Sequence, residues 1–212
     1  MRRFDELLDE LNDMMLELSK MVENSITMAC KALVEQDIML AKNVIEVEDD
    51  INQMEKDIES LCLKLLLQQQ PVARDLRVIS AALKIITDLE RIGDQAADIS
   101  EIVISMHGKA YAGENELITR MSDATIKMVI NSIDAYVRQD IKLAEFVIMY
   151  DDTVDELFDR IKLDLIELIR SYKPESEQAI DLLMVAKYFE RIGDHACNVA
   201  EWVVYSITGQ KA

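Results

Sequence analysis

Two short acidic stripes hold the residues best able to do chemistry. Glu90, Asp94 and Asp98 stand four positions apart, and so do Glu190, Asp194 and Asn198. On a helix, positions i, i+4 and i+8 share one face, so each triplet sets oxygen donors in a row. Asp49 and Asn52, then Asp152 and Asp155, supply further donors on the segments that precede them. A donor set without Cys or His suits hard cations: Mg²⁺, Mn²⁺, Ca²⁺ or oxidised iron. The plainer reading of the spacing is a solvated acidic face, because like charges at i, i+4 cost a helix only about 0.2–0.5 kcal/mol per pair.

Both stripes lie in a block that occurs twice. Glu-Arg-Ile-Gly-Asp at 90–94 returns at 190–194, an offset of 100 positions. Gly93 and Gly193 sit inside these blocks, where glycine costs a helix roughly 1 kcal/mol relative to alanine. Their recurrence predicts close approach of another element, in packing before ligand binding. His195 suggests phosphotransfer, yet its counterpart in the first copy is Gln95, so the role is not expected. A di-iron site would require paired Glu-x-x-His motifs, and the sequence has none. It also lacks a glycine-rich phosphate loop and a nucleophile with a partner base. The sequence therefore carries no enzyme signature.

The elements that position these residues are long helices. Apolar residues recur at spacings of three and four: Phe4, Leu8, Leu11, Met15, Leu18, Val22, Ile26, Ala29 and Leu33 in the first, and Val44, Val47, Ile51, Met54, Ile58, Leu61 and Leu65 in the second. The third includes Leu89, Ile92, Ala96, Ile99 and Val103, and the fifth Leu143, Val147, Tyr150, Val154, Leu157, Ile161, Leu165 and Leu168. At about 30 residues each such helix runs roughly 45 Å. Gln36-Asp37 separates the first two, with Asp37 placed to cap the second, and Gln139-Asp140 repeats this junction at an offset of 103. Pro71 fits the first turn of the third helix, and Pro174 is its counterpart. Helices four to six are predicted over about 115–139, 140–172 and 175–207, and residues 108–115 read as a linker. The fold class is all-α: two tandem, pseudo-symmetric antiparallel three-helix bundles, residues 1–110 and 114–209.

In each hairpin Asp49 and Glu90, or Asp152 and Asp194, lie about equally far from the intervening turn, hence at one height. Each carboxylate stripe is thus expected to gather three or four ligands from two helices on the outer surface of its bundle.

Composition narrows the classes of function. Half of the 212 residues are apolar, which predicts a folded chain, and five Gly with two Pro leave too few turns for an all-β fold. A net charge of −18 opposes nucleic-acid binding and favours proteins or cations as partners. No apolar run approaches the roughly 20 residues of a membrane span, and the start of the chain does not resemble an export signal. Cys30, Cys62 and Cys197 have neither pairing nor Cys-x-x-Cys spacing, so they are expected as thiols in a reducing cytoplasm.

The stretch Arg3-Phe4-Asp5-Glu6-Leu7-Leu8, the stretch Pro71-Val72-Ala73-Arg74-Asp75-Leu76-Arg77 and the twin Glu-Arg-Ile-Gly-Asp blocks resemble the PhoU family. The resemblance runs over essentially the whole chain. It implies a cytoplasmic, dimeric negative regulator of the phosphate-starvation response and of phosphate uptake. It also implies an adaptor between the ATPase subunit of the phosphate ABC transporter and a sensor histidine kinase, reaching the membrane only through these partners. Some family members hold metal clusters on E(D)-x-x-x-D motifs, which Glu90/Asp94 and Glu190/Asp194 match. Asp98, Asn198, Asp49, Asp152 and Asp155 fall at the flanking or facing positions, while Asn52 departs from the acidic type. The alternative reading is a metal-handling or metal-dependent helical protein using the same stripes.

Overall fold

A computed structural model describes residues 2–69, 73–107, 116–171 and 178–210. It contains six α-helices in order: α1 (Arg2–Glu35), α2 (Ile38–Gln69), α3 (Ala73–Met106), α4 (Glu116–Arg138), α5 (Ile141–Arg170) and α6 (Ala179–Thr208). The sixth is described from Ala179, and residues 175–177 of its predicted span lie outside the described residues. Pro71, Pro174 and the linker at 108–115 lie outside the described residues.

The apolar stripes become the core. Leu11, Met15, Leu18, Val22 and Ile26 of α1 are buried, as are Val44, Ile51, Ile58 and Leu65 of α2. The predicted seam of α3 is likewise buried, and so are Val147, Val154, Leu157, Ile161 and Leu165 of α5. Phe4, Leu8, Val47, Met54, Leu143, Tyr150 and Leu168 flank the core half-buried. Helices α1, α2 and α3 pack on one another, and α4, α5 and α6 repeat the arrangement. Between the two bundles α3 packs extensively along α6, and α1 touches α4. The outer helices are α2 and α5; α3 and α6 are central, so burial spreads around more of their circumference.

The two short junctions share one construction. Gln36 and Gln139 take left-handed backbone angles, φ 54° and 51°. Each turns its side-chain amide back onto the helix it terminates, donating to the carbonyls of Leu33 and Tyr136 at 2.8 Å. The aspartate that follows starts the next helix. Asp37 Oδ1 accepts from the backbone N–H groups of Met39 and Leu40, and Asp140 Oδ1 from that of Leu143. These bonds satisfy donors that a helix N-terminus leaves open. Among the described residues, no helix is long and apolar enough to cross a membrane.

Candidate functional site

Each carboxylate stripe lines a groove between an outer and a central helix. Most of the stripe is more covered than an outward face predicts: the side chains of Glu90, Asp94 and Glu190 are 21%, 26% and 16% exposed. Asp194 stays exposed. The cover comes from the outer helix of the same bundle, whose acids stand beside them.

In the first groove Glu48 and Glu55 of α2 lie near Glu90, Asp94 and Asp98 of α3. Burial raises the Glu48 carboxyl above the ordinary range, and the charges of Asp94, Asp49 and Asp98 raise it further against the opposing hydrogen bond of Asn52. Glu90 is raised by burial and by Asp94, with Arg91 acting in the other direction. Asp98 is raised by burial, Glu101 and Asp94. In the second groove Asp151 is pushed up to about 6, first by burial and then by Asp155, Asp194, Asp152 and Glu190. Burial followed by Glu190 raises both Asp155 and Asp194. These are desolvated anions held close together, the condition a bound cation relieves.

Two native cations partly meet that need. Arg91 reaches Asp94 at 3.0 Å and Glu90 at 3.3 Å, and Lys187 pairs with Glu190. Neither satisfies the innermost oxygens. Asn52 Oδ1 and Asp151 Oδ1 are buried with no hydrogen-bond partner, one in each groove. An all-oxygen donor set with orphaned buried acceptors fits a hard cation. Among the described residues, no three such side chains converge closely enough to hold an ion as they stand.

Glu48, Glu55 and Asp151 escaped the sequence reading, which selected Asp49 and Asp152 one position later. Those two are exposed and lie at the groove margins, where they act as charges on Glu48 and Asp151. The missed signal was the spacing itself. Glu48-x-x-x-Asn52 and Asp151-x-x-x-Asp155 repeat the i, i+4 separation of the central stripes at an offset of 103.

The lower ends of the stripes serve the seam between bundles. Asp88 accepts from Asn198 Nδ2 at 3.2 Å and pairs with His195 Nδ1 at 2.8 Å. At the pseudo-symmetric position Tyr188 donates to the carboxylate of Asp98. Asn198 is thus engaged across the seam, and His195 acquires a structural partner.

The two glycines differ in what a side chain there would meet. A Cβ at Gly93 would stand 3.1 Å from Cδ1 and Cγ2 of Ile51. At Gly193 the nearest atoms are Asp151 Oδ1 and Val154 Cγ1, both at 3.4 Å, so α6 runs directly beside the orphaned oxygen. Burial pushes the thiols of Cys30, Cys62 and Cys197 up to about 12, which keeps them protonated and unreactive.

Comparison with known proteins gives this geometry a family context. The PhoU domain model matches residues 15–103 and again 118–203, one match per bundle. A phosphate-specific transport system accessory protein PhoU homolog from Clostridium acetobutylicum is 38% identical, covering 98% of this chain and 95% of its own length. The homolog from Pseudomonas aeruginosa is 34% identical over 98% of this chain and 86% of its own. Among solved structures, PhoU from Pseudomonas aeruginosa superposes with a TM-score of 0.93 at 34% identity, over 98% of this chain and all of that one. The phosphate transport system regulatory protein PhoU from Streptococcus pneumoniae gives 0.90 at 26% identity, over 99% of each chain. With its family domain present twice and its fold shared end to end, this chain belongs to the PhoU family.

Proposed function

We propose that this protein is a regulatory accessory factor of a phosphate-specific transport system, acting to hold the phosphate-starvation response off when phosphate is plentiful. The observation that carries this reading is its similarity, across both repeats, to accessory proteins of that system. In this reading it is a cytoplasmic, dimeric adaptor that contacts the transporter ATPase subunit and a sensor histidine kinase and restrains uptake without chemistry of its own. Protonated thiols and a histidine already held by Asp88 support a non-catalytic role. The test is a phosphate-repressed alkaline phosphatase reporter in phosphate-rich medium. Deletion of the gene is expected to derepress the reporter, and complementation to silence it; a reporter that stays repressed after deletion overturns the reading.

The orphaned oxygens favour a second element, a hard cation in each groove. Glu90 and Asp94, with Glu48, Asn52 and Asp98, form the first donor set; Asp151, Asp155, Glu190 and Asp194 form the second. The cation would supply charge neutralisation and so stiffen the α2–α3 and α5–α6 pairs. Calorimetric titration of chelator-treated protein with Mn²⁺ checks this. Glu90→Ala with Asp94→Ala is expected to abolish binding at one groove and leave the other; unchanged stoichiometry counts against the site.

A further inference from the structure

The two repeats differ systematically along one groove. Between α4 and α5 an array of cations and exposed apolar side chains runs from Phe146 to Leu163, about 26 Å along the helix. Phe146, Met149 and Leu163 are 39%, 76% and 63% exposed. Two hollows of about 240 and 330 Å³ lie along it and share Arg120. Lys127 sits over the rings of both Phe146 and Tyr150, at 5.1 and 4.5 Å, and Arg160 lies at the far end.

At the offset of 103 the first repeat carries different chemistry. Arg120, Lys127 and Arg160 correspond to Glu17, Asn24 and Asp57. Phe146, Met149 and Leu163 correspond to Asn43, Glu46 and Ser60. At these six positions the first repeat is acidic or polar where the second is basic or apolar, while Asp123 and Asp164 of the second correspond to Lys20 and Leu61. Asp123 and Asp164 are the only acids lining the two hollows. Among the described residues no ion pair engages Arg120, Lys127 or Arg160, although acids outnumber bases in this chain 41 to 23. Three cations without an ion pair, one of them seated over Phe146 and Tyr150, stand beside exposed aliphatic side chains, a surface complementary to one both acidic and apolar.

We propose that the α4/α5 groove is a docking site for an acidic amphipathic helix of a partner protein. A helix of about 17 residues matches its length, with apolar side chains at i, i+3, i+4 and i+7 over Phe146, Met149 and Leu163. Its Glu or Asp residues meet Arg120, Lys127 and Arg160. A second copy of this chain is the poorer occupant. Its α1/α2 face has the right charge but presents Asn43, Glu46 and Ser60 at the matching positions, and the exposed apolar residues of α2, Met39, Leu63 and Leu67, stand toward its two ends. The inference depends on neither the phosphate reading nor the metal.

The probe is a fluorescein-labelled, amphipathic Leu/Glu peptide of about 18 residues, titrated in chelator against a Leu/Lys peptide of the same pattern. The acidic peptide is expected to bind saturably and the basic one not to bind. Arg120→Glu with Lys127→Glu and Arg160→Glu should weaken binding at least tenfold, and so should Met149→Ser with Leu163→Ser, which leaves every charge in place. All five positions are exposed, and circular dichroism with a melting curve confirms folding; Lys127→Glu alone serves should the triple variant fail. Equal binding of both peptides, or wild-type affinity in the two variants, overturns the proposal. It is also overturned if the triple variant loses self-association in sedimentation while the peptide fails to bind, which makes the occupant a second copy. Stronger binding to phosphatidylglycerol vesicles than to the peptide, abolished by the same variants, identifies a membrane surface instead.

Discussion

At the scale of single residues, the twin glycines separate by what stands next to them. Alanine in a helix gains about 1 kcal/mol over glycine, whereas forcing a methyl into a packed core costs about 1–3 kcal/mol. At Gly93 the added Cβ meets two atoms of Ile51 at 3.1 Å, one of them anchored directly to the Ile51 Cβ, so the packing cost dominates. Gly93→Ala is expected to lower unfolding free energy in urea by about 1 kcal/mol. At Gly193 the contacts are ordinary, so Gly193→Ala is expected to be neutral or to stabilise by up to about 1 kcal/mol. Asp151 gives a test by pH. Its folded pKa of about 6 lies above the ordinary 3.8, so the folded state favours the protonated form. The stability this carboxyl contributes is full below 3.8 and is lost as pH rises through about 6. In chelator at pH 7, Asp151→Asn should raise Tm by about 2–4 °C, the shift that roughly 1 kcal/mol produces in a chain of this size. At pH 4 the variant and the parent should melt together.

The helices show how much of the arrangement was legible beforehand. Seams such as Leu11, Met15, Leu18 and Val22 were readable because a single buried face imposes a period on one helix. The Gln36-Asp37 and Gln139-Asp140 junctions were readable because capping is local chemistry. Pairing across helices was harder. Glu48 and Asp151 were passed over because rotation about the helix axis decides between neighbours such as Asp151 and Asp152, and that rotation is fixed by contacts with α6. The half-burial of Glu90 and Glu190 was likewise invisible, since it depends on how closely α2 lies along α3 and α5 along α6. Asp140 is the element-scale prediction: Asp140→Ala removes the acceptor for the Leu143 N–H and should cost about 1 kcal/mol, measured by denaturant melts. Asp140→Asn should restore most of it.

For the molecule as a whole, the long contact of α3 with α6 argues that the repeats unfold together. Calorimetry of the full chain should give one transition whose calorimetric and van't Hoff enthalpies agree. The fragment 114–209 alone, with the seam face of α6 uncovered, should self-associate or unfold, as sedimentation would show; a monomeric, stable fragment would mean that the repeats are independent domains.

The unlike polar pairs along that seam have a further consequence. If the first repeat of one molecule met the first repeat of another, Asp88 would face Gln95 and Asp98, setting carboxylate against carboxylate. If second repeats met, the phenol of Tyr188 would face His195 and Asn198 in place of the Asp88 carboxylate, a neutral contact without the charge of the native one. Only the first repeat against the second joins Asp88 to His195 and Asn198 while Tyr188 reaches Asp98. An ancestral symmetric interface fits a sibling as readily as itself. By letting its two sides diverge, this chain has become a lock whose first half accepts its own second half and rejects another first half.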